Sequence, residues 1–121
     1  MKRVSPKYYL VVVTAVGCGA CNAFKENWPS MRSKLQSFIE IKEINQPRVT
    51  NVFDSKYPSG LDLYCLWFPT LLLVPKDDYD SMKVTRAYVF NGDIINGKAK
   101  MKSNRMDLNF INISNWIQNT I

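Results

Sequence analysis

An α/β fold with the element order βαβαββα is predicted by three observations. Two short apolar runs, Tyr8-Tyr9-Leu10-Val11-Val12-Val13 and Thr70-Leu71-Leu72-Leu73-Val74, read as buried strands. A long stretch with apolar residues every three or four positions follows the first run, enough chain for a right-handed crossover between parallel strands. Gly, Pro and Asn-Gly punctuate the changes of period along the chain.

Each element has its own signal. Tyr8 to Thr14 is continuous, short and rich in β-branched residues, and Gly17 to Gly19 turns the chain out of it. From Ala20 to about Phe38, the residues Ala23, Phe24, Trp28, Met31, Leu35 and Phe38 form one face of a helix, with Pro29 inside to kink it. Phe38 to Asn45 is a second strand. Pro47 to about Lys56, with Val49, Val52 and Phe53, is predicted as a short helix, and Tyr57-Pro58-Ser59-Gly60 as a turn. Leu61 to Trp67 reads equally as a helical turn or an extended lead-in. Thr70 to Val74 is a third strand, and Pro69 at its start needs no ladder donor. A polar turn, Lys76 to Ser81, leads to a fourth strand, Val84 to Phe90, ended by Asn91-Gly92. Asp93 to Met106 is either a loop or a further strand of a hairpin turning at Asn91-Gly92. A last helix runs from Asp107 to about Gln118, with Phe110, Ile113, Trp116 and Ile117 on one face.

With 121 residues, 46% hydrophobic and 21% charged, the chain is expected to be one globular domain, residues 1–121. No apolar run is long enough to cross a bilayer, so no membrane role is expected. Met1-Lys2-Arg3 and Ala15-Val16-Gly17-Cys18 faintly resemble a lipoprotein signal, but the apolar region is short and contains Pro6 and two tyrosines. A cytoplasmic location is therefore expected. The net charge of +6 includes one local cluster, Lys98, Lys100, Lys102 and Arg105. We read it as a solvated loop, with phosphates or an acidic partner as the alternative; no nucleic-acid motif accompanies it.

Three cysteines and no histidine exclude Ser-His-Asp and Cys-His catalysis and argue against a disulfide-stapled scaffold. Cys18-Gly19-Ala20-Cys21 lies between the first strand and the first helix. The helix N-terminus places partial positive charge beside Cys18 and favours a thiolate, which points to thiol–disulfide exchange. A fixed structural disulfide and half a metal site are the alternatives. Cys65, isolated in an apolar stretch, reads as a core thiol. Phe24, Trp28 and Trp116 also read as core, and Trp67 as packing rather than substrate contact.

Two stretches carry a resemblance. They are Val11-Val12-Val13-Thr14-Ala15-Val16-Gly17-Cys18-Gly19-Ala20-Cys21 and, about fifty residues on, Phe68-Pro69-Thr70-Leu71-Leu72-Leu73-Val74. Together they resemble the thioredoxin-like superfamily, in which a Cys-x-x-Cys opens a helix and a cis-proline followed by Thr opens a strand. The resemblance implies a compact α/β fold with a central mixed four-stranded sheet and helices on both faces. This chain departs from the pattern at several positions. Gly17 stands where Trp usually precedes the first cysteine, and Gly19-Ala20 replaces the usual dipeptide. Val12 stands where a buried acid often helps deprotonate the second cysteine, and the helix proline is Pro29, with Glu26 at its usual place.

The resemblance implies catalytic roles for Cys18 as nucleophile and Cys21 as resolving thiol. It places Gly17, Phe68, Pro69, Thr70 and Gly92 around the bound substrate, which pairs with backbone at Phe68 by β-augmentation. The implied activity is a thiol–disulfide oxidoreductase of protein cysteines, working with an upstream reductant or oxidant and needing no cofactor. Reductase, oxidase and isomerase all fit this motif. Two other classes compete: a non-catalytic binding module of the same fold, and a metal or iron–sulfur site through Cys18, Cys21 and Cys65, completed by a second chain.

Overall fold

A computed structural model describes residues 7–121 of the chain. Met1-Lys2-Arg3 and Pro6, the start of the signal-like segment, lie outside them. The order of elements begins with β1 (Tyr8–Ala15), α1 (Gly19–Leu35) and β2 (Glu40–Gln46). A 3-10 turn at Leu61–Leu63 precedes β3 (Thr70–Pro75) and the short α2 (Lys76–Asp80). Then come β4 (Tyr88–Val89), β5 (Gly92–Ile95), β6 (Lys98–Met101) and α3 (Phe110–Thr120).

The main sheet is mixed and four-stranded, ordered β2-β1-β3-β4. β1 runs parallel to β2, with Val12 opposite Glu43, and antiparallel to β3, with Val13 opposite Thr70. The crossover through α1 makes the parallel pair, as the spacing predicts. Both central strands are covered on both faces, which is why they lack alternation. Leu10, Val12, Leu71 and Leu73 meet Phe24, Trp28 and Leu35 of α1 and Ile113 and Ile117 of α3. Val11, Val13, Leu72 and Val74 face the other way, against Leu61, Tyr64, Cys65, Val84 and Ala87. Burial of each large side chain contributes about 1.5–3 kcal/mol.

The long helices share one face. The opposite face is covered by the 3-10 turn, adjoining coil and Tyr79 of α2, so helical cover on the two faces is unequal. The helix predicted over 47–56 is absent. Gln46, 2% exposed, donates from Nε2 to the carbonyls of Thr50 (2.9 Å) and Val52 (3.1 Å). Thr50 Oγ1 also accepts from the Val52 N–H. Those bonds replace a helical ladder, and Val49 and Val52 face solvent.

The fourth strand is also shorter than predicted, because the backbone at Val84 and Thr85 is engaged elsewhere. Val84 N–H donates to Ser59 O at 2.8 Å, and Thr85 N–H donates to the Asp78 carboxylate at 2.9 Å. The Lys76–Ser81 turn tightens into α2 over its first five residues. The hairpin does form, but it turns at Asn96-Gly97, both at positive φ (53° and 77°), rather than at Asn91-Gly92. Among the described residues no helix is long and apolar enough to cross a membrane.

Candidate functional site

The antiparallel pairing of β1 with β3 brings the exit of one strand beside the entry of the other. The turn after β1 carries Cys18 and Cys21, and the lead-in to β3 carries Phe68 and Pro69. Gly17 makes that turn at φ 81°, a conformation side chains rarely adopt. Cys18 and Cys21 form a disulfide, with Cα atoms 5.2 Å apart.

Cys18 is the N-cap of α1. Its backbone is extended, and its Sγ accepts from the Cys21 N–H at 3.1 Å. The first turn of the helix contains no acidic residue to offset its dipole. Cys18 is 9% exposed and Cys21 is fully buried. Attack from solvent therefore reaches Cys18 first.

The Phe68–Pro69 bond is cis, and the Phe68 carbonyl oxygen lies 3.7 Å from Cys18 Sγ. That contact becomes an S–H···O hydrogen bond only when Cys18 is a thiol. The Phe68 ring packs on Ala15, Cys18 and Cys21. Thr70 is buried and donates its hydroxyl to Trp67 O, holding the bend before β3. Gly92 stands behind Trp67: a Cβ there would fall 2.7 Å from the indole ring and 2.9 Å from Lys100 O. Gly92 thus meets this bend through Trp67.

Two clefts flank the disulfide. One, of about 450 Å³, runs from Cys18 past Cys65, Leu66 and Trp67 to Val49 and Asn51. The other, of about 140 Å³, is walled by Ala20, Phe68, Pro69, Met101 and Arg105. A larger cleft of about 510 Å³ lies between 51–62 and Met82 and contains no cysteine. Cys65 is buried, and that burial, with Asp62 adding to it, pushes its thiol up to about 12. It lines a cleft yet stays protonated and unreactive near neutrality.

Val12 sits in the core beneath α1, so no titratable group occupies that place. Glu43, opposite it in register, accepts from Trp28 Nε1 at 2.7 Å and pairs with Arg32 at 3.1 Å. No group of three or more metal-binding side chains is assembled among the described residues. Leu66, Met101 and Arg105 line the clefts beside the disulfide and carry no site signal in the sequence. Only the charge cluster hinted at Arg105, and spacing does not show which way such an arm folds. No protein-family model and no curated protein matches the chain.

Proposed function

We propose that this chain is a thioredoxin-like thiol–disulfide oxidoreductase acting on protein cysteines. One observation carries the reading. The Cys18–Cys21 disulfide opens α1, with its more exposed sulfur beside the backbone that precedes Pro69. The sheet order and the shared face of α1 and α3 support a thioredoxin-like topology.

In the reducing direction Cys18 thiolate attacks one sulfur of a substrate disulfide. A Cys18–substrate bond forms, the substrate S–S bond breaks, and the leaving thiolate takes a proton. Cys21 then loses its proton and attacks Cys18 Sγ, which releases the second substrate thiol. Two electrons and two protons pass to the substrate, and the Cys18–Cys21 disulfide remains. In the oxidising direction a substrate thiolate attacks Cys18 Sγ and the steps reverse. The Cys21 N–H and the helix N-terminus stabilise Cys18 as the thiolate. An extended substrate beside Phe68 finds backbone to pair with. In a reducing, cytosol-like compartment such a pair cycles rather than staples.

The test is turnover of a protein disulfide with dithiothreitol as reductant, comparing wild type with Cys18→Ser and Cys21→Ser. Cys18→Ser falls to background, and Cys21→Ser traps a mixed disulfide seen by mass spectrometry. Equal activity of wild type and Cys18→Ser overturns the proposal.

A further inference from the structure

The arm formed by β5, β6 and the residues after them walls one side of the cleft at Pro69, and the exchange chemistry makes no use of it. Its seating is specific. Lys102 N–H donates to Asn91 O at 2.8 Å. Asn91 Nδ2 donates to the Met106 carbonyl at 2.9 Å, while Asn91 Oδ1 accepts from Met106 N–H at 2.8 Å. Arg105 lies between these anchors and reaches the cleft that Ala20, Phe68 and Pro69 line from the other side.

Charge on this rim is one-sided. Neither cleft beside the disulfide is lined by an acidic residue. Arg105 has no hydrogen-bond or ion-pair partner among the described residues; of the arm's two carboxylates, Asp93 faces Lys102 at 3.8 Å and Asp107 lines neither cleft. A guanidinium is a rigid, weakly hydrated fork of donors that matches a carboxylate. The net charge of +6 draws acidic partners in the same sense at longer range.

On the reading that Cys18 and Cys21 exchange with protein cysteines, we infer that Arg105 is a specificity-determining residue of this site, selecting polypeptides that carry Asp or Glu beside the reacting cysteine. Arg105 takes no part in the electron transfer; it acts on binding.

The experiment uses three peptide disulfides that differ only in the residues flanking the cysteine: Asp, Asn or Lys. Wild type prefers Asp over Lys by about two- to fivefold in kcat/KM, the span for an exposed charge pair. The preference lies in KM rather than kcat and narrows as salt is raised. Arg105→Gln brings the ratio close to one, Arg105→Lys keeps part of it, and Arg105→Glu inverts it. Exchange of all three peptides at equal kcat/KM, or an unchanged ratio in Arg105→Gln, overturns this inference alone. Exchange of none of them by wild type overturns the oxidoreductase reading and this inference together.

Discussion

Cys18 keeps 9% of its surface exposed and its sulfur meets the Cys21 N–H, whereas Cys21 and Cys65 are fully covered. One residue type thus appears in two chemical states, a disulfide with one sulfur nearer solvent and a buried thiol. Cys65 allows a pH prediction with a definite sign. Its ordinary value is 9.0 and burial raises it to about 12. Below about pH 9 the folded and unfolded chains both hold the proton, and the preference for the neutral thiol is fully present. Between about 9 and 12 only the unfolded chain releases it, so stability falls as pH rises. Urea midpoints measured across that range decline in wild type and decline less steeply in Cys65→Ala. Tyr9, raised to about 12 by burial and by its hydroxyl's bond to Asp80, leaves a residual slope in both. An identical slope in the two proteins would contradict the assignment. Cysteines are legible at this scale because few environments suit them: Cys18 and Cys21 are bonded, and the Phe68 carbonyl that precedes Pro69 lies 3.7 Å from Cys18 Sγ. Arg105 was not legible as a site residue, because its place depends on the amide of Asn91, fourteen positions away in sequence.

Elements with a complete apolar stripe or an unbroken apolar run form where the sequence predicts them, and elements decided by distant polar groups do not. β1, α1, β3 and α3 each bury a complete stripe or both faces, and such patterns survive almost any surroundings. The 47–56 segment has helical spacing of valines, yet one buried amide, Gln46, takes its carbonyls. The 84–87 backbone alternates like a strand, yet Ser59 and Asp78 hold it off β3. Asn91-Gly92 carries a hairpin signal, but Gly92 is required for close approach instead. That difference yields a prediction. Gly92→Ala puts a methyl group against the Trp67 ring and the Lys100 carbonyl, and the backbone contact cannot yield by a rotamer change. The variant loses about 1–3 kcal/mol, the cost of overpacking. Urea denaturation with tryptophan fluorescence measures both the loss and any displacement of Trp67. A variant with wild-type stability and an unshifted spectrum would show that the arm does not bear on this bend.

At the scale of the whole molecule, stability and reactivity rest on different groups. Two apolar cores, one on each face of the main sheet, hold the chain together, and both are built without Cys18 or Cys21. The disulfide and Ala15 form a small separate cluster at the strand ends. Its sequence separation is only 3, so the closed loop is very short. Restricting so short a loop in the unfolded chain stabilises the fold by no more than about 2 kcal/mol in the chain-entropy description. Reduction also leaves a favourable contact behind, since a Cys18 thiolate still accepts from the Cys21 N–H and still caps α1. The reduced protein is therefore expected to stay folded. Near-UV circular dichroism should be largely retained in dithiothreitol, the urea transition should stay cooperative, and the stability lost should not exceed about 2 kcal/mol. A site that must open and close its disulfide in every turnover requires this tolerance. If reduction abolishes the transition instead, the pair is a structural staple, and the exchange chemistry proposed for Cys18 and Cys21 fails with it.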